Sequence, residues 1–201
     1  IAADFKGLVD TSDYERKAKE MGAKREVKEW QKAERALMKR EEGLTERLAD
    51  LSMGGSLREI AKTAAEIRQM ADAPMDSDER RMARRAIGGV AISARENVRA
   101  LFEQESYAEA VSLLELLAAL RPGQSRTYYD LARASAFNRD TKRAHEALKQ
   151  AAAAGFSDAP RLETEPAFAK LKKEAAFQET LAAIRANPPE PERNGGGRAR
   201  F

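Results

Sequence analysis

The chain has 201 residues, 42% of them apolar, 34% charged and only 6% aromatic, with a net charge of +3. Ala, Leu, Glu, Lys and Arg dominate and β-branched residues are few, a composition that favours helices and excludes a largely β protein. There is no cysteine and a single histidine, His145. Disulfides, thiol chemistry, iron–sulfur clusters, cysteine-bound zinc and any site needing several imidazoles from one chain are therefore excluded.

No stretch approaches the roughly 18 uninterrupted apolar residues of a membrane-spanning helix. Lack of cysteine leaves the compartment open, whether cytoplasmic, periplasmic or secreted. The first residue is Ile1, with no charged-then-apolar leader, which suggests a processed chain or a piece of a longer one. Basic and acidic groups stay within two of each other in every fifty-residue window, so no nucleic-acid partner is expected from charge. The local exception is Arg80, Arg81, Arg84 and Arg85, which form one stripe on a helix and read as a solvated face.

In chain order, the first expected element covers about 13–51, where Trp30, Leu37, Leu44 and Leu51 recur every seven residues. Glu34 and Glu41 at the intermediate positions spoil a coiled-coil seam. An antiparallel hairpin with residues 57–72, through a stripe of Leu57, Ile60, Ala61, Ala64 and Ile67, fits better. Trp30 is expected in the core, and Gly22 and Gly43 as breaks. Ser12, Ser56 and Ser106 each open an S-x-x-E pattern, and Asp76-Ser-Asp-Glu79 is an acidic version of it. The helix from about 77 meets Gly88-Gly89, which together cost about 2 kcal/mol of helix propensity, so a kink or boundary is expected there. A first region thus ends near residue 90. Residues 187–201, proline-rich and then glycine-rich, read as a flexible tail.

Residues 91–156 carry an internal period of 34, matching Val98 with Ala132, Ala110 with Ala144, Leu114 with Leu148 and Leu117 with Ala151. This resembles the tetratricopeptide repeat family, whose units are 34-residue helix–turn–helix hairpins. Small residues at 110, 132 and 144 suit close helix approach, and Tyr128, Leu131, Leu114 and Leu148 fill the layer between hairpins. The sequence departs from the family at Ala94, Asn97, Ser135 and Phe156. Residues 156–185 resemble a closing cap, with Asp158 opening a short turn and Leu162, Phe168, Leu171, Phe177, Leu181 and Ile184 sealing the stack. The resemblance covers 91–186 and implies an all-α, α-solenoid-like fold preceded by a helical hairpin region.

The same resemblance implies a functional groove on the first helix of each hairpin. Its lining would be Arg95, Arg99 and Phe102 from one unit, and Arg126, Tyr129, Asp130, Arg133 and Phe137 from the next. Arginines among aromatics suit a protein or acidic peptide partner. The asparagines with which the family clamps a peptide terminus are missing at matching places. No G-x-S-x-G or phosphate-cradling loop is present, His145 reads as a packing residue, and Asp76, Asp78 and Glu79 read as helix caps. The expectation is a non-enzymatic interaction or scaffolding module, without cofactor or metal, working inside a larger chain or complex. Residues 4–30 also resemble linkers that follow the catalytic domain of bacterial secreted hydrolases, which would make the chain an accessory segment of such an enzyme.

Overall fold

The computed structural model describes residues 12–189, and these form nine α-helices and one short 3-10 turn, with no strand among them. The expected tail beyond 189 lies outside the described residues. The chain divides into two compact units, Ile1–Glu46 and Arg47–Phe201.

In the first unit, α1 (Ser12–Ala23) is followed after Lys24 by the start of α2 (Arg25–Gly54). The break expected at Gly22 falls just after it, whereas Gly43 lies inside α2 without interrupting it. No residue of α1 is buried, and those buried in α2, Leu48 and Leu51, belong to the second unit. Trp30 is 62% exposed, which corrects its expected place in the core. The seven-residue spacing marks a helix face here, and Glu34 and Glu41 on that face keep it from closing as an apolar seam.

The second unit holds the end of α2 and then α3 (Leu57–Ala71), α4 (Asp78–Glu103), α5 (Tyr107–Leu120), α6 (Ser125–Phe137), α7 (Thr141–Ala153), α8 (Ala159–Thr164), the 3-10 turn Pro166–Phe168, and α9 (Ala175–Ala186). Consecutive helices from α3 to α7 pack on one another, α3 also touches α5, and α9 lies on α7 and α8. At the α2–α3 corner, Arg47 pairs with Glu66 at 2.8 Å, and Leu48, Leu51, Ile60, Ala64 and Ile67 are buried. The α3 stripe is rotated from the expected one: Leu57 and Ala61 face solvent and Thr63 is buried instead. Gly55 is required at this corner, because a Cβ there would sit 2.5 Å from Leu51 Cδ2 and 3.0 Å from its Cα.

The caps explain where the helices start. Ser56 and Glu59 form a complete capping box, and its two hydrogen bonds to Ser56 hold the Glu59 carboxyl below its ordinary value. Ser77, not Asp76, caps α4 by accepting from the Arg80 N–H at 3.2 Å. Ser106 sits at the start of α5 without a side-chain cap bond. Of the arginine stripe, Arg80 donates back to the Ala73 carbonyl at 3.1 Å and Arg81 pairs with Asp78, so these two serve the α3–α4 corner.

Gly88 and Gly89 do not break α4. The helix is held on both sides of them, by buried Met82 and Ala83 before the pair and by buried Ala94 after it, with Val98, Leu101 and Phe102 packed on the core. Packing of a long amphipathic helix outweighs local propensity. Residue 90, the expected regional boundary, consequently lies mid-helix.

Three helices end in the same way. After α4, the N–H of Ser106 bonds the Leu101 carbonyl at 2.9 Å and that of Glu105 bonds Phe102 at 3.2 Å. After α6, Asp140 bonds Ser135 and Arg139 bonds Ala136, at 2.9 and 3.1 Å. After α7, Phe156 bonds Ala151 and Gly155 bonds Ala152, at 2.9 and 3.0 Å. Each is a Schellman ending, with the residue after the cap in the left-handed region. Those residues are Glu105 (φ 57°), Arg139 (φ 64°) and Gly155 (φ 88°). The first two stand 34 positions apart, at 105 and 139.

The core runs from α5 to α9. Ala132, Ala144, Ala147, Leu131 and Leu148 are fully buried where α6 meets α7, since alanines let the two backbones approach. Asp158 caps α8 by accepting from the Arg161 N–H at 3.1 Å. Leu162, Phe168, Leu171, Phe177, Leu181 and Ile184 are all buried in the same core. The Asn187 amide then donates to the carbonyls of Ala152 and Phe156 at 2.8 Å each, tying the end of α9 to the end of α7.

Two stability predictions follow from these backbone features. Glu105→Gly and Arg139→Gly should each raise stability by about 1 kcal/mol in urea titrations, by removing a Cβ from a left-handed residue. Gly88→Ala and Gly89→Ala, where an added Cβ meets nothing within 4 Å, should each raise it by about 0.5–1 kcal/mol. A lowered midpoint in the second pair would show that α4 needs those glycines for something other than its own packing.

Candidate functional site

A cleft of about 720 Å³ opens in the second unit, bounded by α4, α5, α6 and α8. Ala91, Ala94, Arg95, Val98, Arg99 and Phe102 recur at i, i+3, i+4, i+7, i+8 and i+11, so one face of α4 forms a wall. Leu114 and Leu117 of α5 join its apolar floor. The α5–α6 turn and the start of α6 contribute Arg121, Gln124, Ser125, Arg126 and Thr127, followed by Asp130 and Arg133; α8 contributes Arg161.

Six arginines therefore line the cleft with two acids, Glu103 and Asp130. Arg99 pairs with Glu103 at 2.8 Å in an exposed i,i+4 contact that holds its guanidinium still more firmly protonated. Arg95 and Arg121 make no ion pair among the described residues. Arg161 lies over the Tyr129 ring, 4.9 Å from its centroid.

Arg133 is the most constrained of the six. Its Nε lies 2.8 Å from Glu165 Oε2, its Nη1 donates to Asp130 Oδ1 at 3.3 Å, and its guanidinium carbon sits 4.6 Å from the Phe102 ring centroid. One side chain thus joins α4, α6 and the segment after α8. Burial raises the Asp130 carboxyl above its ordinary value, Arg133 and Arg161 oppose that rise, and Glu165 adds to it. Burial also pushes the Tyr129 hydroxyl far above its usual value, assisted by Glu165, to which it donates at 3.1 Å.

Six of the eight residues expected in the groove line the cleft: Arg95, Arg99, Phe102, Arg126, Asp130 and Arg133. Tyr129 and Phe137 do not. Tyr129 is 1% exposed, stacked on Phe156 at 4.6 Å and set edge-on to Phe168 at 6.0 Å, because the segment after α7 covers that side of α6. Phe137 stacks on Tyr107 at 4.8 Å, and Phe102 meets both rings edge-on. Arg121 and Arg161 were not expected in the cleft. The Pro122-Gly123 turn after Arg121 was the available sign for the former; Arg161 reaches the cleft only because the cap folds back on α6.

Elsewhere the titratable groups serve structure. His145 Nε2 lies 2.8 Å from Glu174 Oε2, bridging α7 to the residue that precedes α9. Neither Ser112, which donates to the Ala108 carbonyl at 3.3 Å, nor Ser135, fully buried and without a hydroxyl partner, bonds His145. Arg143 pairs with buried Glu115 between α7 and α5. Among the described residues no three His, Asp or Glu side chains gather as metal ligands, and no helix is long and apolar enough to cross a membrane. No protein-family model, curated protein or solved structure matches the chain.

The raised Asp130 carboxyl has a measurable consequence. Its protonated form is the better accommodated in the fold, so ionisation at neutral pH destabilises the native state and acidification removes that penalty. Asp130→Asn, neutral at every pH, should raise the thermal midpoint at pH 7, by an amount that shrinks as pH falls through the raised pKa. A midpoint lowered at pH 7 would mean that pairing with Arg133 outweighs burial.

Proposed function

We propose that residues 91–186 are a tetratricopeptide-like array of two helix pairs and a cap, and that its cleft binds an acidic segment of a protein partner. Support for the array comes from the recurrence of one helix ending at residues 105 and 139, the successive packing of α4 to α7, and the six large apolar side chains buried by the cap. On this reading residues 1–90 are a helical extension, and the chain is a scaffolding or adaptor module, not an enzyme.

The observation that carries the functional reading is the convergence of six arginines from α4, α6, α8 and the α5–α6 turn on one cleft with two acids. Guanidinium groups bind carboxylates through paired, charge-assisted hydrogen bonds. These arginines gather in a short cleft while the chain as a whole is nearly balanced, which favours a short acidic peptide over the long phosphate track of a nucleic acid.

Fluorescence anisotropy with a labelled glutamate-rich peptide tests this. The wild type should bind with an affinity that falls as salt rises. Arg95→Glu combined with Arg99→Glu should weaken binding at least about tenfold, since each lost charge-assisted contact is worth about that factor. Both side chains are exposed, so circular dichroism should stay unchanged. Absence of binding by the wild type at low salt, or tighter binding of a single-stranded oligonucleotide, would overturn the reading.

A further inference from the structure

We propose that the acidic segment carries a large apolar side chain, phenylalanine or leucine, seated on the cleft floor between α4 and α5. This rests on the reading of the cleft as an acidic-peptide site and adds what the middle of that peptide must be.

The lining is not uniformly charged. Ala91, Ala94 and Val98 of α4 face Leu114 and Leu117 of α5, and none of these five carries a polar side-chain atom. Ala94 and Leu114 are covered by the core, so the open part of the floor is Ala91, Val98 and Leu117, and Ala91 ends at Cβ, so the wall recedes there. Arginines stand around this floor: Arg95 and Arg99 on α4, and the others on the turn, α6 and α8.

A peptide of glutamates alone uses only half of such a surface. Its carboxylates reach the arginines, but a carboxylate set on the floor loses water without gaining a donor, and Asp130 adds like charge nearby. A large apolar side chain at the centre removes the floor from water while its acidic neighbours pair at the rim. Full burial of a leucine or phenylalanine side chain corresponds to about tenfold to a hundredfold in affinity. Charge complementarity thus selects the flanks of the ligand, and shape and hydrophobicity select its middle.

Three labelled peptides of equal length and equal glutamate content, with phenylalanine, leucine or alanine at the centre, decide the point. The phenylalanine and leucine peptides should bind the full chain at least about tenfold more tightly than the alanine peptide, and the ratio should persist as salt weakens all three. Ala91→Leu, at the half-buried end of the wall, fills the recess and should abolish the ratio, with the alanine peptide losing less affinity than the other two. Val98→Thr, nearly isosteric but polar, should reduce the ratio and serves if Ala91→Leu perturbs the circular dichroism spectrum. Equal affinity of the three peptides overturns the apolar seat and leaves the acidic-peptide reading standing. Failure of all three to bind overturns both.

Discussion

The cleft depends on one guanidinium. Arg133 touches a ring on α4, a carboxylate on its own helix and a carboxylate beyond α8, so three elements distant in sequence are spaced by one planar group. A lysine could not do this, because a point charge on a flexible stem does not lie over the Phe102 ring while donating to Asp130 and staying within ion-pair distance of Glu165. Burial makes the arrangement demanding. It raises the Asp130 carboxyl above its ordinary value, and two acids, Asp130 and Glu165, crowd the same cation. The fold therefore holds this wall of the cleft at some cost in stability.

Around that hub the architecture rests on size. Where α6 meets α7 the interface is largely alanine, and the helices approach closely; where α6 meets the cap it is Tyr129, Phe156 and Phe168, and aromatic stacking fills a wider gap. The change from small to large residues lets the packed helices end in a compact aromatic plug. Asn187 completes it by donating to the carbonyls of Ala152, in the last turn of α7, and of Phe156 just beyond it.

Much of this is legible in the residues, and the failures have physical causes. Apolar spacing and serine caps locate most helices, since both report local chemistry. The period of 34 marks Ala110, Ala132, Ala144 and Leu148, all of which are buried. Propensity misleads at Gly88-Gly89, where packing on both sides holds α4 together. Heptad spacing misleads at Trp30, because a face recurs in sequence whether or not anything covers it. Tyr128 and Tyr129 are indistinguishable by type. Only the return of the cap decides that Tyr129 points into the core and Arg161 into the cleft. The helix ends at Glu105 and Arg139 carry no glycine, so the residue usually marking a left-handed turn is missing where the turn matters most.

Those two ends also say something about how the chain can change length. Residues 105 and 139 share one backbone geometry, so the polypeptide enters α5 and α7 along equivalent paths. A splice from one position to the other joins like to like. Exchanging the stretch between them would therefore leave the path of the backbone into the following helix unchanged.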